Sequence, residues 1–193
     1  FEKITHLDGY GDRSNGAAFD GDGRLATVSY DGHVRLYDRD GRLIKKIATT
    51  GGKRPSSVAF SPDGRKLAVG YTDSQRLQVL DARSLELLYE PDISGDAKTR
   101  GSLNKVSFSA SGTYLYAGGS LKRKQSDGTW WRLIRRWNRA GRGSYSDFPA
   151  GANAIADINP LPNGGILYGG YYPDCGRLSA DGKRRWHQCG QLL

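Results

Sequence analysis

Short runs of alternating apolar and polar residues fill most of the chain, and turns that contain glycine separate them. In FSPDGRKLAVGYTD, residues 60–73, two such runs flank Asp63-Gly64. Glycine accepts a positive φ and the aspartate carboxylate accepts hydrogen bonds from the turn backbone, so this pair favours a tight hairpin. The pattern therefore predicts two antiparallel strands. Three apolar residues are expected in their core: Phe60, Leu67 and Val69.

The same pattern recurs in four stretches, spaced by about 40 to 50 residues. Each stretch has an apolar anchor in its first strand: Phe19, Phe60, Phe108 and Ile158. Each then has a polar residue before glycine, which predicts the first hairpin turn: Asp22-Gly23, Asp63-Gly64, Ser111-Gly112 and Asn163-Gly164. Such regular spacing indicates a repeated unit rather than a single hairpin.

Two further strands complete the unit. The third strand ends on an apolar residue followed by a polar one: Tyr37-Asp38, Leu80-Asp81 and Trp137-Asn138. A fourth strand follows, as in RLIKKIATT from Arg42, and no helical period competes with the alternation. The unit is thus four strands, named a to d in chain order. We expect an outer strand with its connection and then four units, with these bounds: 1–13, 14–54, 55–102, 103–153 and 154–193.

Four-stranded units at this period resemble the WD40 repeats of β-propellers, especially the bacterial type with degenerate repeats. FSPDG at 60–64 is similar to the first hairpin of many such repeats, whereas the signature Trp-Asp pair is replaced by Tyr37-Asp38 and its variants. The resemblance implies an all-β fold, a β-propeller of four-stranded antiparallel blades. The chain is expected to form a segment of about four blades of a larger ring.

Members of this family carry a buried hydrogen-bonded set of His, Ser, Asp and Trp side chains. Ser29, Asp31 and Tyr37 occupy the matching positions of the first repeat, but the upstream Gly-His pair is missing from GYGDRSNG at 9–16. The resemblance therefore implies an incomplete network. We expect Asp31 to order its own turn, as Asp63 and Gly64 do in the second repeat.

A propeller closes into a ring so that no sheet edge remains open, and rings of this family usually have seven or eight blades. Three hypotheses follow. The chain is part of a longer propeller, which we favour, or two chains complete one ring. In the third, a small four-bladed ring forms, and FEKITHL at 1–7 supplies the outer strand of the last blade. This requires that KRRWHQCG at 183–190 is not that strand.

Composition narrows the class of protein. The 193 residues carry a formal net charge of +9, which favours an acidic partner, solubility alone being the alternative. No apolar run is long enough for a transmembrane helix, and no signal pattern opens the chain, so a cytoplasmic location is expected. Cys175 and Cys189 are interpreted as ordinary thiols, with a single disulfide as the alternative.

Catalytic motifs are not found in the sequence. The three histidines, His6, His33 and His187, are far apart, and the chain lacks nucleophile-elbow, zinc-protease and phosphate-loop motifs. We therefore expect no enzymatic activity, no cofactor and no metal.

The third repeat holds the strongest candidate for function. Residues 121–142, LKRKQSDGTWWRLIRRWNRAGR, contain eight Lys and Arg residues, three Trp residues and one acid, Asp127. Its b-to-c hairpin is longer than in the first two repeats, and Arg and Trp dominate interface hot spots and also suit phosphates and base stacking. The expected partner-binding residues are Lys122, Arg123, Lys124, Trp130, Trp131, Arg132 and Arg135.

Two alternatives accompany this candidate. The arginines can simply keep a strand surface solvated while Trp137 lies in the core. A second basic stretch, DGKRRWHQ at 181–188, is interpreted as a solvated turn in which Trp186 packs.

The resemblance implies a non-catalytic platform for a protein or peptide partner, a scaffold or sensor within a larger multidomain protein such as a bacterial effector. The remaining blades of the same ring are a further expected partner, and no membrane partner is expected. The alternative function is a nucleic-acid-binding propeller that uses the basic hairpin at 121–142. A fold alone does not decide between them, because function depends on sites.

Overall fold

In the computed structural model, residue 7, residues 9–94 and residues 99–189 are described. Their regular structure consists of seventeen strands and one 3₁₀ turn, Arg139–Gly141, and all strand pairs are antiparallel. Residues 1–6 of the predicted N-terminal outer strand lie outside the described residues. The four sheets form a four-bladed β-propeller arrangement, as predicted.

Each blade is a sheet whose strands follow in chain order. Blade 1 contains β1 Ser14–Phe19, β2 Leu25–Ser29, β3 His33–Tyr37 and β4 Leu43–Ala48. Blade 2 contains β5 Pro55–Phe60, β6 Lys66–Tyr71, β7 Leu77–Asp81 and β8 Leu87–Tyr89. Blade 3 contains β9 Leu103–Phe108, β10 Leu115–Gly119, β11 Lys122–Lys124, β12 Trp130–Trp137 and β13 Tyr145–Pro149. Blade 4 contains β14 Ile155–Pro160, β15 Ile166–Gly170, β16 Asp174–Leu178 and β17 Arg184–Cys189.

The glycines of the four predicted hairpin turns have positive φ. The angles are 82° at Gly23, 65° at Gly64, 70° at Gly112 and 80° at Gly164. A side chain at these positions would be strained, so glycine is what allows each a-to-b turn. One anchor is shifted in the structure: Pro160, not Ile158, pairs in the register of Phe19, Phe60 and Phe108. Ile158 lies two residues before Pro160 and is buried in the core between blades 3 and 4.

Blades stack through their two faces, so the middle strands of the blades, such as β2, β3, β6, β7 and β10, are covered on both sides. We call the face toward the preceding blade in the chain the leading face, and the face toward the following blade the trailing face. Ala26 and Val28 of blade 1 share a core with Val58 and Leu67 of blade 2. Corresponding cores join blade 2 to blade 3 and blade 3 to blade 4. Burial on both faces replaces the half-exposed pattern of an ordinary antiparallel sheet.

Strand b shows how closely the blades approach. Register places Gly70, Gly118 and Gly169 at equivalent positions of β6, β10 and β15. A Cβ at Gly70 would lie 2.8 Å from the carbonyl oxygen of Leu103 in the next blade, and one at Gly118 would lie 3.0 Å from Ile158. A Cβ at Gly169 would meet no atom within 4 Å. Glycine therefore permits contact between blades at the first two positions, whereas the third lies on an uncovered face.

Gly70→Ala is accordingly expected to destabilise the fold by about 1–3 kcal/mol, because the added methyl group meets backbone that cannot rotate away. Gly169→Ala is the matched control and, in the monomeric chain, is expected to be neutral or to stabilise by up to about 1 kcal/mol, since glycine weakens a strand. Urea unfolding at one protein concentration measures both. Equal losses in the two variants would contradict the stacking described above.

The outer strand of blade 4 is β17, which pairs along β16 from Asp174↔Cys189 to Leu178↔Arg184. The condition of the hypothesis that residues 1–7 supply this strand is therefore not met, because residues 184–189 already occupy the place. Among the described strands, close packing joins consecutive blades, and no comparable packing joins blade 1 to blade 4.

Candidate functional site

The long hairpin of blade 3 forms a two-stranded extension beyond the sheet. In it, β11 pairs with the start of β12 through Lys122↔Arg132, Arg123↔Trp131 and Lys124↔Trp130. We call residues 122–132 the ribbon. Its turn is ordered by Asp127, whose carboxylate accepts bonds from the backbone N–H of Thr129 at 2.9 Å and from its hydroxyl at 2.6 Å. The hydrogen bonds with Thr129 hold the pKa of Asp127 below its ordinary value.

One face of the ribbon is basic and aromatic. Alternation places Lys122, Lys124, Trp130 and Arg132 on this side. Trp130 is 42% exposed, and the ammonium of Lys122 lies 4.9 Å from the centre of its indole ring. Lys124 is exposed as well, whereas Arg132 is half-buried and donates to the carbonyl oxygen of Ser120 at 2.9 Å. This face thus combines positive charge with a large accessible aromatic surface.

The other face of the ribbon contacts the rest of the protein. A guanidinium nitrogen of Arg123 lies 3.8 Å from a carboxylate oxygen of Asp147 on β13. The ring of Trp131 meets His187 of blade 4 edge-on at 5.4 Å between centroids, and the guanidinium of Arg184 stacks over it at 4.0 Å. These contacts fix the ribbon against blade 4, so the exposed face is held in place before any partner arrives.

Arg135 does not belong to the exposed set. Its side chain is fully buried, and its Nε and Nη2 donate to the two carboxylate oxygens of Asp147 at 2.6 and 2.8 Å. Its guanidinium also stacks over Tyr145 at 3.9 Å. The prediction that Arg135 contacts a partner is therefore wrong, because the residue is enclosed between blades as one half of a buried ion pair.

A cleft of about 390 Å³ separates the ribbon from the last turn of blade 4. It is lined by Gln125, Ser126, Asp127, Trp131, Pro149, Gly182 and Arg184. Trp131 and Pro149 give the lining an apolar part and the other side chains are polar, which suits an extended segment carrying one apolar side chain. The cleft borders the surface that the sequence singled out, but its blade 4 side was not predicted.

The basic stretch of blade 4 has a structural and an exposed part. Asp174 is buried and accepts bonds from the backbone N–H of Asn153 at 2.6 Å and from Nε2 of His187 at 2.9 Å. Trp186, by contrast, is 46% exposed, so the prediction that it packs in the interior is wrong. Cys175, which pairs with Gln188 two residues further along β17, is a free and exposed thiol.

The predicted network in blade 1 exists in a changed form. Asp31 accepts bonds from the backbone N–H of Gly11 at 3.0 Å and of His33 at 3.2 Å, and pairs with Arg35. Burial raises the pKa of Asp31, but the bonds and charge of Arg35, with those backbone donors, outweigh it and leave the pKa well below its ordinary value. Arg35, which is buried and which sequence reasoning missed, thus takes the central place.

The other two members of that network use their hydroxyl hydrogens elsewhere, although the backbone N–H of Asp31 donates to Oγ of Ser29 at 3.3 Å. Ser29 donates its hydroxyl to the carbonyl oxygen of Asp12 at 2.9 Å, and Tyr37 donates to the hydroxyl of Tyr10 at 3.1 Å. Both bonds attach the segment before β1 to blade 1. The role of these residues is therefore to hold a connection rather than to join one continuous chain of side chains.

The turn of blade 2 is ordered as the sequence predicts. The backbone N–H of Gly64 donates to the carbonyl oxygen of Ser61 at 2.8 Å, and Asp63 accepts from the hydroxyl of Ser61 and the N–H of Arg65. These two donors lower the pKa of Asp63. Asp63 and Gly64 are accordingly turn residues.

Within the described residues, no group of three or more His, Cys, Asp or Glu side chains is placed to hold a metal ion. In the same part of the chain, no helix has the length and apolar character needed to cross a membrane.

Comparison with known proteins agrees with the fold. The family described as WD domain, G-beta repeat matches residues 1–38 and 42–76, which include the strands of blade 1 and the first two strands of blade 2. No curated protein matches the chain. The later blades share the strand order, turn glycines and stacking of the matched part. The match shows WD40 repeats in the first part of the chain, and the four repeated sheets form a four-bladed β-propeller arrangement.

Proposed function

We propose that the chain is a docking module in which the ribbon and the adjoining cleft bind an acidic segment of a protein partner. WD40 repeats generally mediate protein–protein interaction or scaffolding, and propellers of this family are generally non-catalytic. The proposal adds a location and a partner chemistry to that general role. In a longer multidomain protein, the same surface would recruit or sense a partner for an effector domain.

The exposure of Trp130 between two lysines is the observation that carries the proposal. A tryptophan that is 42% exposed leaves a large apolar area in water, and Lys122 and Lys124 surround it with positive charge. Trp residues of this kind are the usual anchors of protein interfaces. Acidic side chains beside an apolar one would complement both properties at once.

The fixed inner face of the ribbon supports the same proposal. Arg123 and Trp131 attach the ribbon to Asp147, His187 and Arg184. A surface that is already ordered loses little conformational entropy when a partner binds, so more of the contact energy appears as affinity. A solvated strand without function would not require these contacts.

A fluorescein-labelled decapeptide of alternating glutamate and leucine serves as the probe, and fluorescence anisotropy reports binding. Trp130→Ala and Lys124→Glu are each expected to weaken binding about 10-fold to 100-fold, the range of interface hot spots. The matched controls are Leu43→Ala and Lys45→Glu, which change an exposed apolar residue and an exposed lysine of blade 1, outside the ribbon and the cleft. Controls that weaken binding as much, or no binding by the unmodified chain, would contradict the proposal.

Nucleic acid is the second candidate partner. The net charge of +9 and the exposed indole of Trp130 favour it, because phosphates bind cations and bases stack on aromatic rings. A random-sequence 20-nucleotide single strand in the same assay, at several salt concentrations, distinguishes the two. A nucleic-acid module would bind the strand more tightly than the peptide and lose affinity steeply with salt.

A further inference from the structure

We propose that the trailing face of blade 4 binds the leading face of blade 1 in a second copy of this chain. The contact would repeat the three blade junctions that the chain already forms. The argument rests on internal equivalence, because strand register identifies which residue of blade 4 corresponds to each buried residue of the other blades.

Apolar side chains are uncovered at both terminal faces. Leu167 of β15 is 36% exposed, although its register equivalents in the other blades are fully buried: Ala26, Ala68 and Tyr116. Cys175 is exposed, and its equivalents are buried too: Val34, Leu77 and Ile134. On blade 1, Phe19 is 70% exposed, whereas its equivalent Phe108 is buried. Each face is therefore one half of a junction.

Backbone packing indicates what fits on the face of blade 4. At Gly70 and Gly118, strand a of the next blade fills the space that a side chain would occupy. Gly169 offers the same space and meets no atom within 4 Å. The shape of the site is thus that of an inner strand, and β1, with the small residue Ala17 two positions before Phe19, is such a strand.

Hydrogen bonds across the junctions follow a common rule. In each, a donor of one blade reaches a carbonyl oxygen in the c-to-d turn of the next: Arg24 to Ala82 at 2.6 Å, Tyr89 to Ala140 at 2.8 Å and Arg136 to Ala180 at 2.6 Å. Arg177 occupies the position of Arg136 on blade 4, and the buried Nε of each has no partner among the described residues. Arg136 nevertheless reaches the next c-to-d turn through Nη1, whereas the described residues place no such turn beside Arg177. The c-to-d turn of blade 1, at Arg39, has no preceding blade among the described residues.

Charge is complementary between these two ends. A cavity of about 400 Å³ on blade 4 is lined in part by Arg177, Arg185 and one acid, Asp181. A cavity of about 490 Å³ on blade 1 is lined in part by Phe19, Asp38, Asp40 and one base, Arg39. The equivalents of the two arginines in blade 1, Leu36 and Ile44, line a cavity together with Arg83 of the next blade. At the proposed contact, Arg177 and Arg185 of one copy would therefore face Asp38 and Asp40 of the other copy.

A second copy is the occupant that satisfies both faces at once. Each copy presents one trailing and one leading half, so two copies related by a two-fold axis would form two identical junctions and close a ring of eight blades. Closure would also cover apolar faces whose exposure favours aggregation.

Sedimentation equilibrium of the 193-residue chain tests the proposal. We expect a dimer, and we expect Leu167→Glu or Phe19→Glu to raise its dissociation constant at least about 10-fold, because each places a charge in the apolar contact. Arg76→Glu, an exposed change outside both faces, is the control and leaves the constant unchanged. Circular dichroism confirms that the variants remain folded. A chain that is monomeric up to about 100 µM, where even weak specific contacts are populated, would overturn the proposal.

Mixing the two variants tests the direction of the contact. Alone, each variant damages both junctions of a homodimer, but a mixed pair keeps one junction without a substitution. Association is therefore expected to recover on mixing. A dimer that forms by two copies of the same face would show no recovery, and that result would overturn the proposal. Arg177→Glu combined with Asp40→Arg should likewise restore association lost in the single Arg177→Glu variant.

Discussion

Replacing Trp137 by alanine is expected to lower the free energy of unfolding by about 3–5 kcal/mol, the usual loss for a large aromatic removed from a core. The side chain is fully buried between blades 2 and 3, among Leu103, Phe108 and Leu115. Its indole N–H also donates to the carbonyl oxygen of Asp92 at 2.7 Å. The substitution would leave both a cavity and an unsatisfied acceptor. Urea unfolding measures the change.

Trp130→Ala is the control for this variant. Its indole is 42% exposed and its main contact is with Lys122, so the expected loss is below about 1 kcal/mol. Similar losses in the two variants would mean that the ribbon belongs to the core, which contradicts the division between scaffold and docking surface.

Replacing Asp147 by alanine is expected to lower the free energy of unfolding by about 3–5 kcal/mol, a loss similar to that of Trp137→Ala. The carboxylate is 4% exposed and pairs with Arg135, which is fully buried. Without it, a guanidinium would remain buried without a countercharge. Arg123 would lose the same carboxylate, so the ribbon would be held less firmly.

Two further variants test the cause of that loss. Asp22→Ala removes an equal charge from an exposed turn and should change stability by less than about 0.5 kcal/mol. The double variant Arg135→Met, Asp147→Leu removes both charges and should recover much of the stability, because an apolar pair replaces a buried ion pair at little cost. A double variant as unstable as Asp147→Ala would mean that the carboxylate stabilises the fold by another route.

The blades could be predicted because their signals are local. Alternation and a polar residue before glycine are properties of adjacent residues, and they located the hairpins at Asp63-Gly64 and at the equivalent turns. The stacking of blades is not local. Since both faces of an inner strand are covered, alternation does not distinguish an arginine that faces a partner from one enclosed between blades. For this reason the sequence predicts Arg135 at the surface, although its side chain is buried.

The same limit applies to the candidate site, of which only the local features could be predicted from the sequence. Composition identified the ribbon, and its length alone indicated a projecting hairpin. The contacts of Trp131 with His187 and Arg184 join residues more than fifty positions apart in the chain, and no local pattern marks them. Arg35 could not be predicted for a related reason. The resemblance indicates Ser29 and Tyr37 as partners of Asp31, whereas the residue that pairs with Asp31 is Arg35.

Hydrogen–deuterium exchange, with and without the acidic decapeptide, tests most directly whether the ribbon and its cleft are the docking surface. The account predicts slower exchange in residues 121–132 and 182–187 when the peptide is present, with the inner strands β1, β5, β9 and β14 unchanged. Protection confined to those inner strands, with the ribbon unaffected, would contradict it.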